Sequence, residues 1–368
     1  MFCSAFALAE AGKRSGRDLL TAYHVGVEVA CRVFDATHVN HILHGFHSTA
    51  TCGMLGAAAG VANLTGADTA RARTMLGIAA SMSGGLLENL GTCVKPFHAG
   101  RSAESAIVAA DLAARGFTAS PIILEAPRGF YRAQGGGHED ARLRGKLGRP
   151  WSFVDRGIWL KPFPTGSLGH PGMTKMLELV TAHDVKPGDI ARIRVATSEN
   201  IHHTLLHHRP RTELQAKFSF EFCLAALAID RRCGLQQFND AYVNRPDVQR
   251  LMRRVEYTTF PETEARAKGY NIVTTFVAIE LRDGRRLEAR ADHGKGNIAD
   301  PMSEDEVAEK FRECAAYAGW PKARTERAIE TILHLEKVRD VNVLAGCVAG
   351  APVGRKTVAT RKSRSRSG

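Results

Sequence analysis

The sequence predicts a mainly α-helical protein with a smaller α+β part inside it. Residues 1–120 show helix caps and helically spaced apolar residues, with little alternation of period 2. Residues 158–295 instead combine alternating strand patterns with a helical segment, and helical patterns return beyond residue 300. This order of patterns predicts a large all-helical domain that is interrupted by a smaller α+β domain.

Capping residues place the helices of the first part. Ser15 and Asp18 have the spacing of a capping box, so a helix begins there. Ser102 predicts the start of the last of these helices, with Glu104 in the first turn and Gly116 just past the end. The Ala/Gly-rich composition of the second helix indicates close packing between helices. The predicted helices cover residues 15–33, 48–64, 68–80 and 102–116.

Beyond a glycine-rich and charged loop at residues 133–150, the patterns change to strands. The Asp283-Gly284 pair predicts a tight turn that joins two strands as a hairpin, so we expect an antiparallel sheet. Ser303 and Glu306 form a second capping box that begins a helix, and a last helix follows it. The predicted strands cover residues 193–197, 255–259, 272–281 and 286–291, with a helix at 213–229.

Composition and charge limit the classes of protein to which this chain can belong. The 368 residues are 44% hydrophobic and 24% charged, which excludes a mainly disordered chain, a collagen and a coiled coil. The net charge of +12 is a surplus that suggests nucleic-acid binding. Half of it comes from Arg355, Lys356, Arg361, Lys362, Arg364 and Arg366. We therefore predict a disordered basic tail at 350–368. The body of the chain does not favour a nucleic-acid partner, and binding through the tail is kept only as an alternative.

Neither a membrane nor a metal is predicted. The sequence has no apolar run long enough to cross a membrane and no signal-peptide pattern at its start. The cysteines form no C-x-x-C pair, which argues against a zinc ribbon or an iron–sulfur site and, without a secretion signal, favours the cytoplasm. His38, His41, His44 and His47 recur every three residues, but no paired carboxylate accompanies them.

Three stretches concentrate cations, histidine and glycine, namely residues 45–49, 95–102 and 161–171. The first two precede predicted helices, whose N-termini carry unpaired N–H groups and a partial positive charge. Added lysine, arginine and histidine make such an end an anion site. Two such ends, capped by the third stretch, suit a substrate with several carboxylates. Each cation or histidine alone also has a structural explanation, so this function requires that the three stretches converge in space.

A second histidine group is given no role. His202, His203, His207 and His208 lie in a polar stretch, which predicts an exposed loop. The sequence also lacks a dinucleotide-binding glycine pattern, a phosphate-binding loop and a nucleophile elbow.

The three cationic stretches, in this order, resemble segments of the MmgE/PrpD family. The similarity rests on GFHSTATCGMLGAAAGVANL, LGTCVKPFHAGRSAESAIVAADLAARGFTA, KPFPTGSLGHP and AKFSFEFCLAALAID. It implies a large all-helical domain interrupted by a smaller α+β lid domain, here a helical domain at 1–157, a lid domain at 158–295, and C-terminal helices at 296–349 that return to the first domain. It also implies a homodimer whose active site lies between the domains and uses no metal or other cofactor.

The resemblance further implies the roles of individual residues. His47, Lys95 and His170 correspond to catalytic positions, with the two histidines as acid and base. Its substrate-binding positions are His98, Arg101 and Lys161, whose cations would hold carboxylates. The expected activity is that of a cofactor-independent lyase of small di- or tricarboxylates, with elimination of water from a 2-methylcitrate-like acid of propionate metabolism as the leading reaction. Decarboxylation or epimerisation is the alternative.

Two features depart from the family pattern. Family members begin with upstream helices that carry an aspartate-rich segment and an H-P-G histidine, so the resemblance implies an N-terminally truncated member or a misassigned start. Phe222 stands where many relatives have tyrosine, so we expect the loss of a hydroxyl donor. These departures keep a catalytically inactive family member as a further alternative.

Overall fold

Seven helices form the first part of the computed structural model, which describes residues 1–37 and 40–350. The helix α4 lies at the centre of this part, and α2, α5 and α6 pack against it. Because a Cβ atom at Gly56 would lie 2.4 Å from the carbonyl oxygen of Gly26, only glycine permits this crossing of α2 and α4. The helices span Phe2–Ala11 (α1), Gly16–Ala36 (α2), Asn40–Leu43 (α3), Cys52–Leu64 (α4), Thr69–Met82 (α5), Val94–Ala114 (α6) and Phe130–Gly135 (α7).

The caps of these helices agree with the sequence at two of the predicted starts. The Ser15 hydroxyl accepts from the Asp18 N–H, and the Asp18 carboxylate accepts from the Ser15 N–H, so the predicted capping box is confirmed. The Asp68 carboxylate accepts from the Arg71 N–H at 2.8 Å and caps α5. The predicted start at Ser102 is wrong, because α6 already begins at Val94.

A four-stranded sheet and seven helices form the middle part of the described chain. The sheet order is β2-β1-β3-β4, and β1 and β2 run parallel, so the expected purely antiparallel sheet is wrong at this pair. The predicted hairpin is confirmed between β3 and β4. The strands are Ile190–Thr197 (β1), Val255–Thr259 (β2), Thr275–Leu281 (β3) and Arg286–Ala291 (β4). The helices are His170–Ala182 (α8), Glu199–Thr204 (α9), Glu213–Ala216 (α10), Phe220–Asp230 (α11), Asp240–Val243 (α12), Pro246–Met252 (α13) and Glu262–Lys268 (α14).

The middle part has its own apolar core. The helices α8 and α11 pack on the sheet, and α11 is buried on nearly all sides. The helix predicted at 213–229 is divided into α10 and α11, because the Ser219 hydroxyl accepts from the Phe222 N–H and starts a new helix. Phe222 itself contacts the rings of Phe238 and Tyr242 inside this core. A hydroxyl at that position would therefore point into the core.

Three C-terminal helices follow among the described residues, and the segment at 335–344 returns to the start of the chain. They span Glu304–Tyr317 (α15), Lys322–Leu333 (α16) and Asn342–Val348 (α17). The Gly16 N–H donates to the Val338 carbonyl at 2.8 Å, and the Val341 N–H donates to the Arg14 carbonyl at 2.9 Å. The second predicted capping box, at Ser303 and Glu306, is confirmed at the start of α15. A mainly α fold with an α+β part is thus confirmed, whereas the exact domain boundaries stay predictions.

The described residues also bear on the question of a membrane-spanning helix and on the predicted basic tail. Among residues 1–37 and 40–350, no helix combines the length and the apolar character needed to cross a bilayer. The predicted basic tail at 350–368 lies outside the described residues from position 351 onward.

Candidate active site

Two histidines from separate elements meet at the edge of the helical part. His47 follows α3, and His98 lies in α6, yet their Nδ1 atoms are 2.9 Å apart. The His47 N–H donates to the Gly85 carbonyl at 3.0 Å, which fixes its backbone. The Ser102 hydroxyl donates to the carbonyls of Thr49 and His98, and thereby ties α6 to the segment that carries His47. The pair is therefore held by both backbone and side-chain contacts.

Lys95 lies in the first turn of the same helix as His98. Since α6 begins at Val94, Lys95 and His98 are three residues apart on one helical face. The proline at position 96 is compatible with this start, because the first turn has N–H groups without helical partners. The interpretation of residues 95–101 as a loop before a helix is therefore wrong. Arg101 pairs with Glu104 at 2.8 Å, and its side chain is 48% exposed.

The middle part of the described chain, called the lid below, supplies a second pair of predicted residues. His170 begins α8, is buried, and has an Nε2 atom with no hydrogen-bond partner among the described residues. Lys161 is exposed overall, but its Nζ donates to the Thr165 carbonyl at 3.2 Å. The Thr165 hydroxyl donates to the Lys217 carbonyl at 2.6 Å. The loop that carries Lys161 is therefore attached to the lid core.

The two pairs belong to one electrostatic cluster. Burial lowers the pKa of His47 to about 4, with further contributions from the positive charges of His98 and Lys95. Loss of hydration also lowers the pKa of Lys161, and the charge of Lys95 is the next cause. Lys95 therefore lies within electrostatic reach of both the helical part and the lid loop.

A close approach of Gly91 to a side chain of the lid supports this arrangement. Gly91, four residues before Lys95, lies against the ring of His207 in the lid. A Cβ atom at this glycine would be 2.4 Å from the His207 Nε2 atom, and its φ of +83° also favours glycine. The lid thus closes directly on the loop that leads into α6.

His170 has the most strongly shifted titration in the cluster. Burial lowers its pKa to about 3, and the positive charges of Lys161 and Lys310 act in the same direction. The Thr165 backbone acts in the opposite direction but does not outweigh burial. At neutral pH, both His47 and His170 are uncharged among charged lysines. The cluster therefore combines proton acceptors with lysines that pair with no carboxylate of residues 1–37 and 40–350.

The remaining histidines have structural surroundings. The His41 Nε2 atom lies 2.9 Å from the Thr51 hydroxyl inside the core, and His38 lies outside the described residues. No group of three metal-binding side chains occurs in the described part of the chain. The prediction of an exposed loop for residues 202–208 is wrong, since His202 lies in the short helix α9 and His208 pairs with the buried Glu221 at 2.8 Å. Glu221 is thirteen residues away, so local sequence did not indicate this pair.

Lys310 is a residue of the cluster that the sequence interpretation missed. Its charge influences both Lys161 and His170, although it lies in the C-terminal helix α15. In the sequence it stands among several acidic residues, which is the pattern of a solvated helix surface. No local signal distinguished it from its neighbours.

The fold and the cluster define a helical protein with an α+β lid over a site lined by histidine and lysine. The chain belongs to the MmgE/PrpD family. The N-terminal domain of the family matches residues 1–142, and the MmgE/PrpD C-terminal domain matches residues 163–336.

Similar proteins include the cis-aconitate decarboxylases of Homo sapiens and Aspergillus terreus. The human protein is 28% identical over 350 residues, which cover 94% of this chain and 71% of the relative. The Aspergillus terreus protein is 26% identical over 364 residues, which cover 94% of this chain and 73% of the relative. These matches do not support the expectation of a truncated member.

Proposed function

We propose that this chain is a lyase that acts on a small tricarboxylate without a cofactor, and that decarboxylation of a cis-aconitate-like acid is its reaction. The observation that carries the proposal is the cluster of uncharged histidines beside lysines that have no carboxylate partner among the described residues. The relatives that act as cis-aconitate decarboxylases favour this reaction over the dehydration expected from the sequence.

The bond changes of decarboxylation suit this cluster. The bond between carbon and one carboxylate breaks, carbon dioxide leaves, and the electron pair stays on the substrate. The lysines hold the remaining carboxylates and stabilise this charge, which is the usual large contribution of preorganised cations. One proton then adds to carbon, so the reaction needs a proton donor at the site. His47 or His170 supplies that proton after binding of the anion has raised its pKa.

The roles of the predicted residues follow from their positions. His47 and His170 transfer protons, and Lys95 and Lys161 bind carboxylates. His98 positions His47 through the contact between their Nδ1 atoms. Arg101 pairs with the exposed Glu104 rather than with a described member of this cluster, so its predicted carboxylate-binding role stays a prediction.

Dehydration of a 2-methylcitrate-like acid is the second candidate reaction. It needs the same carboxylate-binding cations and a base and an acid on either side of the substrate. The two histidine-bearing halves of the cluster provide such an arrangement. The substrate in this case loses a proton from carbon and a hydroxide, and no carbon dioxide is formed.

A substrate panel distinguishes the two reactions. The purified protein is incubated with cis-aconitate, 2-methylcitrate and citrate, and both carbon dioxide and new alkenes are measured. We expect carbon dioxide from cis-aconitate, and we expect Lys95→Ala to form it far more slowly. An alkene formed from 2-methylcitrate without carbon dioxide would support dehydration. No product from any of the three acids would contradict both candidates.

The predicted assembly and location belong to the same proposal. We keep the homodimer and the cytoplasmic location as predictions that the family resemblance and the cysteine pattern support. Light scattering after size-exclusion chromatography tests the dimer directly, and a mass of about 80 kDa, twice the 40.0 kDa of one chain, is the expected result.

A further inference from the structure

Lys310 is a half-buried cation that has no acidic partner in the part of the chain that the structure describes. Its helix, α15, is rich in glutamate, yet no carboxylate of the described residues lies within ion-pair distance of it. Arg312, two residues further, pairs instead with Glu309 and Glu326. A helix surface with this many acids normally neutralises its lysines at spacing i, i+4. Lys310 is therefore an exception that needs an explanation.

The expected partner of Lys310 is occupied elsewhere. Glu306 precedes it by four residues, which is the favourable order for a helical ion pair. The Glu306 carboxylate instead binds the Lys295 ammonium at 3.1 Å and caps α15 through the Ser303 N–H. Lys310 is thus left with a charge that nothing described on its own helix compensates.

The position of α15 brings Lys310 to the lid loop. Phe311, its neighbour, lines one apolar groove together with Leu160, which directly precedes Lys161. Lys295, the partner of Glu306, lines a crevice together with Lys161 and His170. Since Glu306 and Lys310 are one helical turn apart, both project from the side of α15 that borders this crevice. The charge of Lys310 acts on Lys161 and His170 in agreement with this placement.

We infer that Lys310 is a third carboxylate-binding lysine of the site and makes it selective for ligands with three carboxylates. Lys95 comes from the helical part, Lys161 from the lid loop and Lys310 from the C-terminal helices. With a tricarboxylate, each of the three lysines binds one carboxylate. With a dicarboxylate, one of the three lysines has no carboxylate to bind. The inference deepens the proposed function, on which it rests for the nature of the ligand but not for the reaction.

Binding of unreactive acids tests the inference. Tricarballylate has three carboxylates but neither an alkene nor a hydroxyl group, and glutarate has two carboxylates. Isothermal titration calorimetry gives the Kd of each acid for the unmodified chain, for Lys310→Gln and for Lys310→Arg. A control variant, Lys322→Gln, removes an exposed lysine from the neighbouring helix α16.

We expect Lys310→Gln to weaken tricarballylate binding by about tenfold or more, as the loss of one charge-assisted contact does. Glutarate binding should change by less than about twofold, and Lys310→Arg should keep most of the affinity for tricarballylate, because the charge is retained. Lys322→Gln should bind both acids like the unmodified chain. Melting temperatures of all variants identify any that fail to fold. If Lys310→Gln does not fold, the Kd values of Lys310→Arg and of the unmodified chain are compared instead.

Three outcomes would overturn the inference. They are an equal loss of affinity for both acids in Lys310→Gln, no loss of affinity for either acid, and no binding of tricarballylate to the unmodified chain. Failure of the proposed reaction has a different signature. A chain that binds tricarballylate through Lys310 but converts none of the candidate substrates refutes the reaction and keeps the lysine assignment.

Discussion

The Nδ1 atoms of His47 and His98 lie 2.9 Å apart, so one imidazole donates a hydrogen bond to the other. The two rings cannot both donate through these atoms, and therefore the protonation of one restricts the other. This contact makes the titration of His47 depend on a residue fifty-one positions away along the chain. It links a loop histidine to a helix and supports the positioning role proposed for His98.

The first prediction concerns this histidine pair. Replacement of His98 by glutamine should raise the pKa of His47 from about 4, because the positive charge of His98 is one of the causes that lower it. Burial remains the largest cause, so the pKa should stay below its ordinary value of about 6.5. NMR titration of the imidazole nitrogens measures the change. A His44→Gln variant, at an exposed position, is the control, and an unmoved His47 pKa in His98→Gln would contradict the interpretation.

The second prediction concerns Lys95. Replacement by alanine should lower kcat by about 10²-fold or more, because a cation that stabilises the developing charge is lost. The pKa values of His47 and Lys161 should both rise, since the charge of Lys95 lowers both. Steady-state kinetics and NMR titration test these effects, and thermal unfolding checks the fold. The matched control is Lys175→Ala, which removes a lysine that pairs with Glu178 at 2.7 Å. Equal kinetics in the two variants would remove Lys95 from the mechanism.

The third prediction is that ligand binding takes up protons. His170 has a pKa of about 3, and cations near it contribute to this low value. A bound tricarboxylate offsets those cations, so the pKa of His170 rises and the bound state holds more protons than the free state. Calorimetry of tricarballylate binding at pH 6 in two buffers of different ionisation enthalpy measures the uptake. We expect a smaller uptake in His170→Gln. Proton release in the unmodified chain would show that the sign is wrong.

The fourth prediction concerns stability away from the site. The Glu28 side chain is 3% exposed and accepts hydrogen bonds from Arg32 and from the N–H groups of Gly148 and Ser152. Burial alone would raise its pKa, but these contacts outweigh burial and lower the pKa to about 2. Replacement by glutamine should therefore reduce the free energy of unfolding by about 3 kcal/mol at pH 7, as for other broken buried pairs.

The pH dependence of this contribution has a definite sign. The pKa of Glu28 is lower in the folded state than its ordinary value of 4.5, so its contribution is full above pH 4.5 and is lost as the pH falls towards 2. Urea unfolding at pH 7 and at pH 2.5 should show a large difference between Glu28→Gln and the unmodified chain only at pH 7. The control, Glu139→Gln, alters an exposed pair with Arg142 and should cost less than about 1 kcal/mol. Identical losses at both pH values would contradict the assignment.

Local signals explain which parts of the fold were predictable. The capping boxes at Ser15 and Ser303 involve residues three positions apart, and their prediction is confirmed. The start of α6 was missed because Pro96 and the glycines near it look like a loop, while Ser102 looks like a cap. The parallel pairing of β1 with β2 depends on the whole lid core, which no local pattern encodes.

The candidate site could likewise be predicted only in part. The resemblance indicated His47, Lys95, Lys161 and His170, but spacing alone did not show that they meet. Lys310 was not predicted, because its importance depends on the partner chosen by Glu306 rather than on its own surroundings in the sequence. Tertiary structure thus decides which charge is neutralised and which one remains for a ligand.

The return of the last helices to the first has a consequence during synthesis. One apolar core combines Ala5 and Leu19 with Leu335 and Leu344, whereas the lid core uses only residues between 163 and 287. At a translation rate of about 5–20 residues per second, the earliest helices wait roughly 15–60 s for their last partners. The lid is able to fold before that time. The apolar faces of the first helices therefore remain without these partners until residues 335–344 have been synthesised.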